Sequence, residues 1–111
     1  MSHSSSPDAP APGMRVQTQK VVITDSASAA LEKAGVEGVF LLARHLRGDW
    51  GDVTDRDALQ NELALLLGLR VLSRYALGDG AVIWIITEAD RTITTIMLPD
   101  GFQGEGQSAA N

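Results

Sequence analysis

The chain has 111 residues, of which 44% are hydrophobic and 21% are charged, and this balance predicts one ordinary globular domain. It contains no cysteine, which excludes a disulfide framework, a thiolate metal site and a cysteine nucleophile. Its formal net charge is −5, whereas binding to a polyanion needs an excess of Lys and Arg, so we expect no nucleic-acid partner.

Both ends of the chain have a composition that favours disorder. Residues 1–13 are mainly Ser, Pro, Ala and Gly, and residues 100–111 are mainly polar or Gly, so neither segment can contribute much to a core. We predict a disordered tail over 1–13, a single folded domain over 14–99 and a flexible tail over 100–111. The sequence shows neither a membrane span nor a secretory signal, which predicts a cytoplasmic protein without membrane contact.

The first part of the folded region predicts a strand and a short helix. Residues 16–24 are rich in β-branched side chains with mixed faces, which is typical of an edge strand. Residues 29–33 favour helix, with Asp25 or Ser26 as the N-cap and Gly35 at the C-terminal end.

Two further helices are predicted from apolar residues at helical spacing. The second helix ends at Gly48, and the third begins after the N-cap Thr54 and ends at Gly68. The apolar side of the second helix consists of Val39, Phe40, Leu42, Ala43 and Leu46. One side of the third helix is covered by Ala58, Leu59, Glu62, Leu63, Leu66 and Leu67.

The last part of the folded region predicts a three-strand antiparallel meander over residues 69–98. Residues 69–77 alternate in polarity, and the Gly-Asp-Gly at 78–80 is a strong hairpin signal. Residues 81–87 are apolar on both faces, which indicates the central strand, and residues 92–99 form the third strand. The element order is therefore β-α-α-α-β-β-β, which predicts an α+β domain with its helices packed on one face of an antiparallel sheet.

The segment 44–53, RHLRGDWGDV, holds most of the residues that could carry a function. Trp50 either plugs the core or presents an aromatic surface to a partner, and both interpretations stay open. Asp49 and Asp52 could contact a partner, but they lack the spacing of a calcium-binding loop. We therefore expect neither a metal ion nor a cofactor.

A second group of candidate contact residues lies in the hairpin at 87–92. Glu88, Asp90 and Arg91 would meet at one end of the sheet, either as a solvated turn or as a contact surface. On the neighbouring strand Arg70 and Arg74 share one face because strands have a period of two. If that face is open, the two arginines form a narrow basic strip.

His45 is the basis of an alternative interpretation in which the protein is an enzyme. A histidine can act as a general acid or base because its pKa lies near neutrality, and Arg74 or Arg91 could stabilise a phosphate group. His45 also lies near a helix C-terminus, where the helix dipole favours it without any catalysis. Because no phosphate-binding loop, zinc ligand set or nucleophile elbow is present, we assign no catalytic residue.

Two strings carry a resemblance to a known family, namely GDWG at residues 48–51 and ITEADR at residues 86–91. Together with Thr94 and Thr95, they resemble small uncharacterised bacterial proteins carried on plasmids and integrative elements. These proteins are labelled plasmid-related proteins or, wrongly, type I restriction endonuclease subunit M. The resemblance covers residues 36–99, and it implies a mobile-element setting but no known activity.

The element order alone resembles RelE- and ParE-type toxins and barnase-like ribonucleases, which implies a small ribonuclease, although such toxins are usually basic. Our main prediction is a small acidic accessory protein of a mobile element that acts by protein–protein contact without catalysis. The small core favours a homo-oligomer. The alternatives are the ribonuclease and an acidic anti-restriction protein that mimics DNA.

Overall fold

The computed structural model describes residues 13–99, which form three helices and one sheet of four strands. The strands are β1 (Lys20–Ile23), β2 (Val71–Ala76), β3 (Val82–Thr87) and β4 (Ile93–Met97), and the helices are α1 (Asp25–Ala34), α2 (Gly38–Leu46) and α3 (Asp55–Leu67). The α+β class, with helices on a sheet, is confirmed. The tails predicted at 1–13 and 100–111 lie outside the described residues, except for Gly13.

The strands form a mixed sheet in the spatial order β1-β4-β3-β2. The predicted meander of β2, β3 and β4 is antiparallel throughout. β1 runs parallel to β4, with Lys20 opposite Ile93 and Ile23 opposite Ile96, so the prediction of an antiparallel sheet was wrong. The long helical connection between β1 and β2 sets the direction of β1, and the side-chain alternation of a single strand does not encode that direction.

The helix boundaries follow from capping. Thr24 accepts a hydrogen bond from the backbone N–H of Ala27, and Thr54 accepts one from the N–H of Asp57. The N-cap of α1 is thus Thr24 rather than the predicted Asp25 or Ser26, because its extended backbone directs the hydroxyl at the first free N–H groups.

One face of the sheet, which we call the inner face, supports the core. Alternate residues of the meander, among them Tyr75, Ile83, Ile85 and Ile96, pack there against apolar side chains of α1 and α2. A second cluster of buried side chains joins α2, α3 and the loop between them. It consists of Val16, Leu46, Trp50, Ala64 and Val71. Each large aliphatic side chain buried in these clusters contributes about 1.5–3 kcal/mol.

α2 and α3 are rotated relative to the prediction. In α2 the buried residues are Leu41, His45 and Leu46, whereas Val39 and Phe40 are exposed. In α3 the buried residues are Asn61 and Ala64. Four leucines of α3, which we call the leucine face, are 41–81% exposed: Leu59, Leu63, Leu66 and Leu67. The expectation that these leucines cover a buried side was therefore wrong.

The rotation of α3 has a polar cause. Asn61 bonds the backbone of Leu72 in β2 through both atoms of its amide, and Glu62 bonds the indole N–H of Trp50. Satisfying buried polar groups in this way outweighs the burial of a few more leucine atoms.

Within residues 13–99 no helix combines the length and the apolar content needed to cross a membrane.

Candidate functional site

The segment 44–53 begins as the last turn of α2 and continues as a loop that lies along the outer edge of β2. The backbone N–H of Arg74 donates to the carbonyl oxygen of Trp50 over 3.0 Å, and the N–H of Asp52 donates to the carbonyl oxygen of Arg74 over 2.6 Å. Gly51 forms a parallel bridge with Arg74 between these two bonds. The loop therefore acts as a short additional strand.

Gly51 allows this close approach. Its φ is +78°, and a Cβ added there would lie 2.6 Å from Cδ1 of Tyr75 and nearer still to the carbonyl oxygen of Arg74. Any other residue at position 51 would push the loop away from β2. The second glycine of the GDWG string is thus explained by packing.

The rest of the outer edge of β2 is also closed. The amide of Asn61 pairs with the N–H and the carbonyl oxygen of Leu72 over 3.1 and 2.8 Å. Further along the strand, the N–H of Ala76 donates to Oδ2 of Asp52 over 2.9 Å. Asp52 thus has a structural partner, and an exposed sheet edge that would attract other strands is covered.

Trp50 occupies the core. Its side chain is 6% exposed and packs in the cluster with Leu46 and Val71, and its indole N–H donates to Oε2 of Glu62 over 3.2 Å. The ring of His45 meets it edge to face at a centroid distance of 6.0 Å. The geometry fits the plug interpretation and presents little of the tryptophan to a partner.

Asp49 is held by α2 and β2. Arg44 donates to both of its carboxylate oxygens over 2.7 and 3.2 Å, and its backbone carbonyl accepts a 2.6 Å bond from the hydroxyl of Tyr75. The guanidinium of Arg44 lowers the pKa of Asp49, and the N–H of Gly51 adds to the effect. The guanidinium also lies 4.7 Å from the centroid of the Tyr75 ring, a cation–π distance. Asp49 therefore fixes the position of the start of the loop that follows α2.

His45 is completely buried at the centre of a polar chain. Its Nδ1 lies 2.6 Å from Oγ of Ser73 and its Nε2 lies 2.8 Å from Oγ1 of Thr87. The chain continues over 2.7 Å from Thr87 to Thr94 and over 2.7 Å from Thr94 to Thr18. Both ring nitrogens thus have protein partners, as a buried imidazole requires.

The protonation state of His45 follows from this environment. Burial lowers the pKa of the imidazole to about 4, and the positive charge of Arg91 acts in the same direction. The ring is therefore neutral at pH 7 and has no exposed surface. A substrate cannot reach either nitrogen in this conformation.

The three residues of the ribonuclease alternative do not converge. Arg74 is exposed, and its side chain leaves β2 on the face opposite to Ser73, the hydrogen-bond partner of His45. Arg91 bonds the carbonyl oxygens of Ala64 and Leu69 over 3.3 and 2.7 Å, which anchors the C-terminal end of α3. The sheet lies between Arg74 and His45, so this geometry gives the ribonuclease no support.

The other charged candidates have local partners as well. Glu88 accepts a 3.4 Å hydrogen bond from Arg70, and Asp90 accepts from both the N–H and the hydroxyl of Thr92. These bonds hold the pKa of Asp90 below its usual value. Because Arg70 is paired with Glu88 and Arg74 donates to the carbonyl oxygen of Asp52 over 3.3 Å, the two arginines do not form an unpaired basic strip.

Two surface features of the described residues lie on or beside α3. One is the leucine face of α3, and the other is a groove of about 330 Å³ that separates α3 from the outer face of the sheet and is lined in part by Gln60, Arg74 and Trp84. Among the described residues no group of three or more His, Cys, Asp or Glu side chains could hold a metal ion. The leucine face was missed from sequence because leucines lie on several sides of α3.

Comparisons with family models, with curated proteins and with solved structures found no match to this chain. The fold and the site together define a small α+β protein. Its glycine-rich loop closes one edge of the sheet, and four exposed leucines, among them the most exposed large apolar side chain of the described residues, lie on α3.

Proposed function

We propose that the protein is a non-catalytic binding protein that holds an amphipathic helix of a protein partner against the leucine face of α3. The observation that carries the proposal is the exposure of the four leucines, which reaches 81% at Leu66. Contiguous exposed apolar side chains of this kind mark interaction surfaces on soluble domains.

The spacing of the leucines supports a helix as the occupant. Leu59, Leu63 and Leu66 follow one another at intervals of four and three residues, so they form a single ridge along α3. Such ridges fit the grooves between side chains of a second helix. Burial of each leucine against that helix contributes up to about 1.5–3 kcal/mol before the costs of association.

Charge supports a basic partner. The protein has a net charge of −5, and Asp55 is exposed in the first turn of α3 beside the leucine face. A partner helix with Lys or Arg flanking its apolar stripe would be attracted to this acidic protein. The resemblance to plasmid-related proteins suggests that the partner is another protein of a mobile element.

Neither alternative function gains support from a specific observation. A DNA mimic needs an array of unneutralised carboxylates, but Asp49, Glu62 and Glu88 are each paired with an arginine. The ribonuclease would need an accessible acid or base, and His45 is sealed.

Site-specific photocrosslinking in cells that carry the native gene tests the proposal. A photoreactive amino acid replaces Leu63 on the leucine face, and a matched probe replaces Glu32, which is exposed on α1. We expect one crosslinked segment at position 63, with an amphipathic helical sequence flanked by basic residues, and no such product at position 32. The proposal is wrong if position 63 captures the same proteins as position 32, captures nothing, or captures only copies of this chain.

A further inference from the structure

The two edges of the sheet differ in how far their outward backbone hydrogen-bonding groups are covered. The outer N–H and carbonyl groups of β2 are covered by Asn61, by the loop backbone at Gly51 and by the carboxylate of Asp52. β1 forms the other edge, and its four residues are all exposed. Three of them are large and apolar: Val21, Val22 and Ile23 are 38–43% exposed. An open apolar edge is what a sheet uses to accept another strand.

The backbone of β1 shows which groups are open. The N–H of Lys20 donates to Thr92 and the N–H of Thr24 donates to Ile96 in β4. Because bonding directions alternate along a strand, the N–H and carbonyl groups of Val21 and Ile23 point away from β4. Within residues 13–99 these outward N–H groups have no hydrogen-bond acceptor.

We propose that β1 pairs antiparallel with β1 of a second copy, so that two sheets join into one across a twofold axis at Val22. In this register Val21 lies opposite Ile23 of the second copy, and their outward N–H and carbonyl groups satisfy each other. The side chains of Val21 and Ile23 also meet as a cross-strand apolar pair. Isologous pairing of this type closes after two copies and leaves no further edge at β1.

The charges of β1 favour a second copy over an unrelated strand. Lys20 stands at one end of the strand, and Asp25 follows directly after the other end. Antiparallel pairing places Lys20 of each copy beside Thr24 and Asp25 of the other, which gives two equivalent attractions. Parallel pairing would instead place lysine beside lysine and aspartate beside aspartate.

A charge exchange tests the proposal on the full chain by sedimentation equilibrium. We expect the native protein to dimerise, and we expect Lys20→Asp and Asp25→Lys alone each to raise the dissociation constant about tenfold or more. The double variant Lys20→Asp/Asp25→Lys restores opposite charges across the axis and should recover native dimerisation. Lys33→Asp, which changes an exposed lysine on α1, is the matched control and should have no effect.

A backbone variant supplies a second measurement. Val21→Pro removes one outward N–H but none of the hydrogen bonds to β4, and proline is tolerated at sheet edges. The variant should be folded by circular dichroism and monomeric by sedimentation equilibrium. A native protein that stays monomeric, or a dimer that is indifferent to the single charge changes and to Val21→Pro, would overturn the inference. A dimer that the single charge changes weaken but the double variant does not restore would overturn the antiparallel register.

Discussion

Replacement of His45 by alanine is expected to lower the free energy of unfolding by about 3–5 kcal/mol. The substitution leaves a cavity beside Trp50 and removes one hydrogen-bond partner from Ser73 and one from Thr87, both of which are fully buried. Urea unfolding followed by circular dichroism measures the loss. Arg47→Ala, two residues away and exposed, serves as the control and should change the stability by less than about 0.5 kcal/mol.

The stability should also depend on pH through His45. The imidazole has a pKa of about 4 in the folded protein and about 6.5 when unfolded, so the unfolded chain binds the proton first as the pH falls. Stability is therefore complete above about pH 6.5 and is lost towards pH 4, by about 2 kcal/mol between pH 7 and pH 5. This loss should be absent in His45→Ala. An alanine variant with native stability and a native pH profile would contradict the structural role of His45.

Replacement of Gly51 by alanine is expected to cost about 3 kcal/mol or more. The added Cβ would press against Cδ1 of Tyr75 and the carbonyl oxygen of Arg74, and the backbone of β2 cannot move without loosening the sheet. The positive φ adds about 1 kcal/mol. Urea unfolding of the variant gives the total effect.

Gly68 provides the matched control for Gly51. Its φ is +71°, close to that of Gly51, but a Cβ added at Gly68 would meet no atom within 4 Å. Gly68→Ala should therefore show only the backbone cost of about 1 kcal/mol. Equal losses for the two variants would show that the loop does not approach β2 as closely as described.

The elements that could be predicted from sequence are those set by local chemistry. The meander follows from alternation and from the turn at Gly78–Gly80, and the end of α3 follows from Gly68, whose φ is positive. The parallel direction of β1 could not be predicted. It depends on the position at which the three helices between β1 and β2 bring the chain back to the sheet. The polar chain around His45 could not be predicted either, because its partners Ser73 and Thr87 lie 28 and 42 residues further along the sequence.

The orientation of α3 shows how one polar side chain decides between apolar faces. Leucines occupy several sides of this helix, so hydrophobic periodicity alone leaves its rotation undetermined. Asn61 determines the rotation because its side-chain amide hydrogen-bonds both the N–H and the carbonyl oxygen of Leu72, which point away from β3. That pairing turns Leu63 and Leu66 to solvent and creates the surface on which the proposed function rests.

The stability of Leu66→Glu is the measurement that tests this account most directly. Leu66 is 81% exposed, so a charged side chain at this position should change the free energy of unfolding by less than about 0.5 kcal/mol. In the same variant, crosslinking from position 63 to the partner should be lost. A destabilisation of several kcal/mol would instead place Leu66 in the core and contradict the assignment of the leucine face as a binding surface.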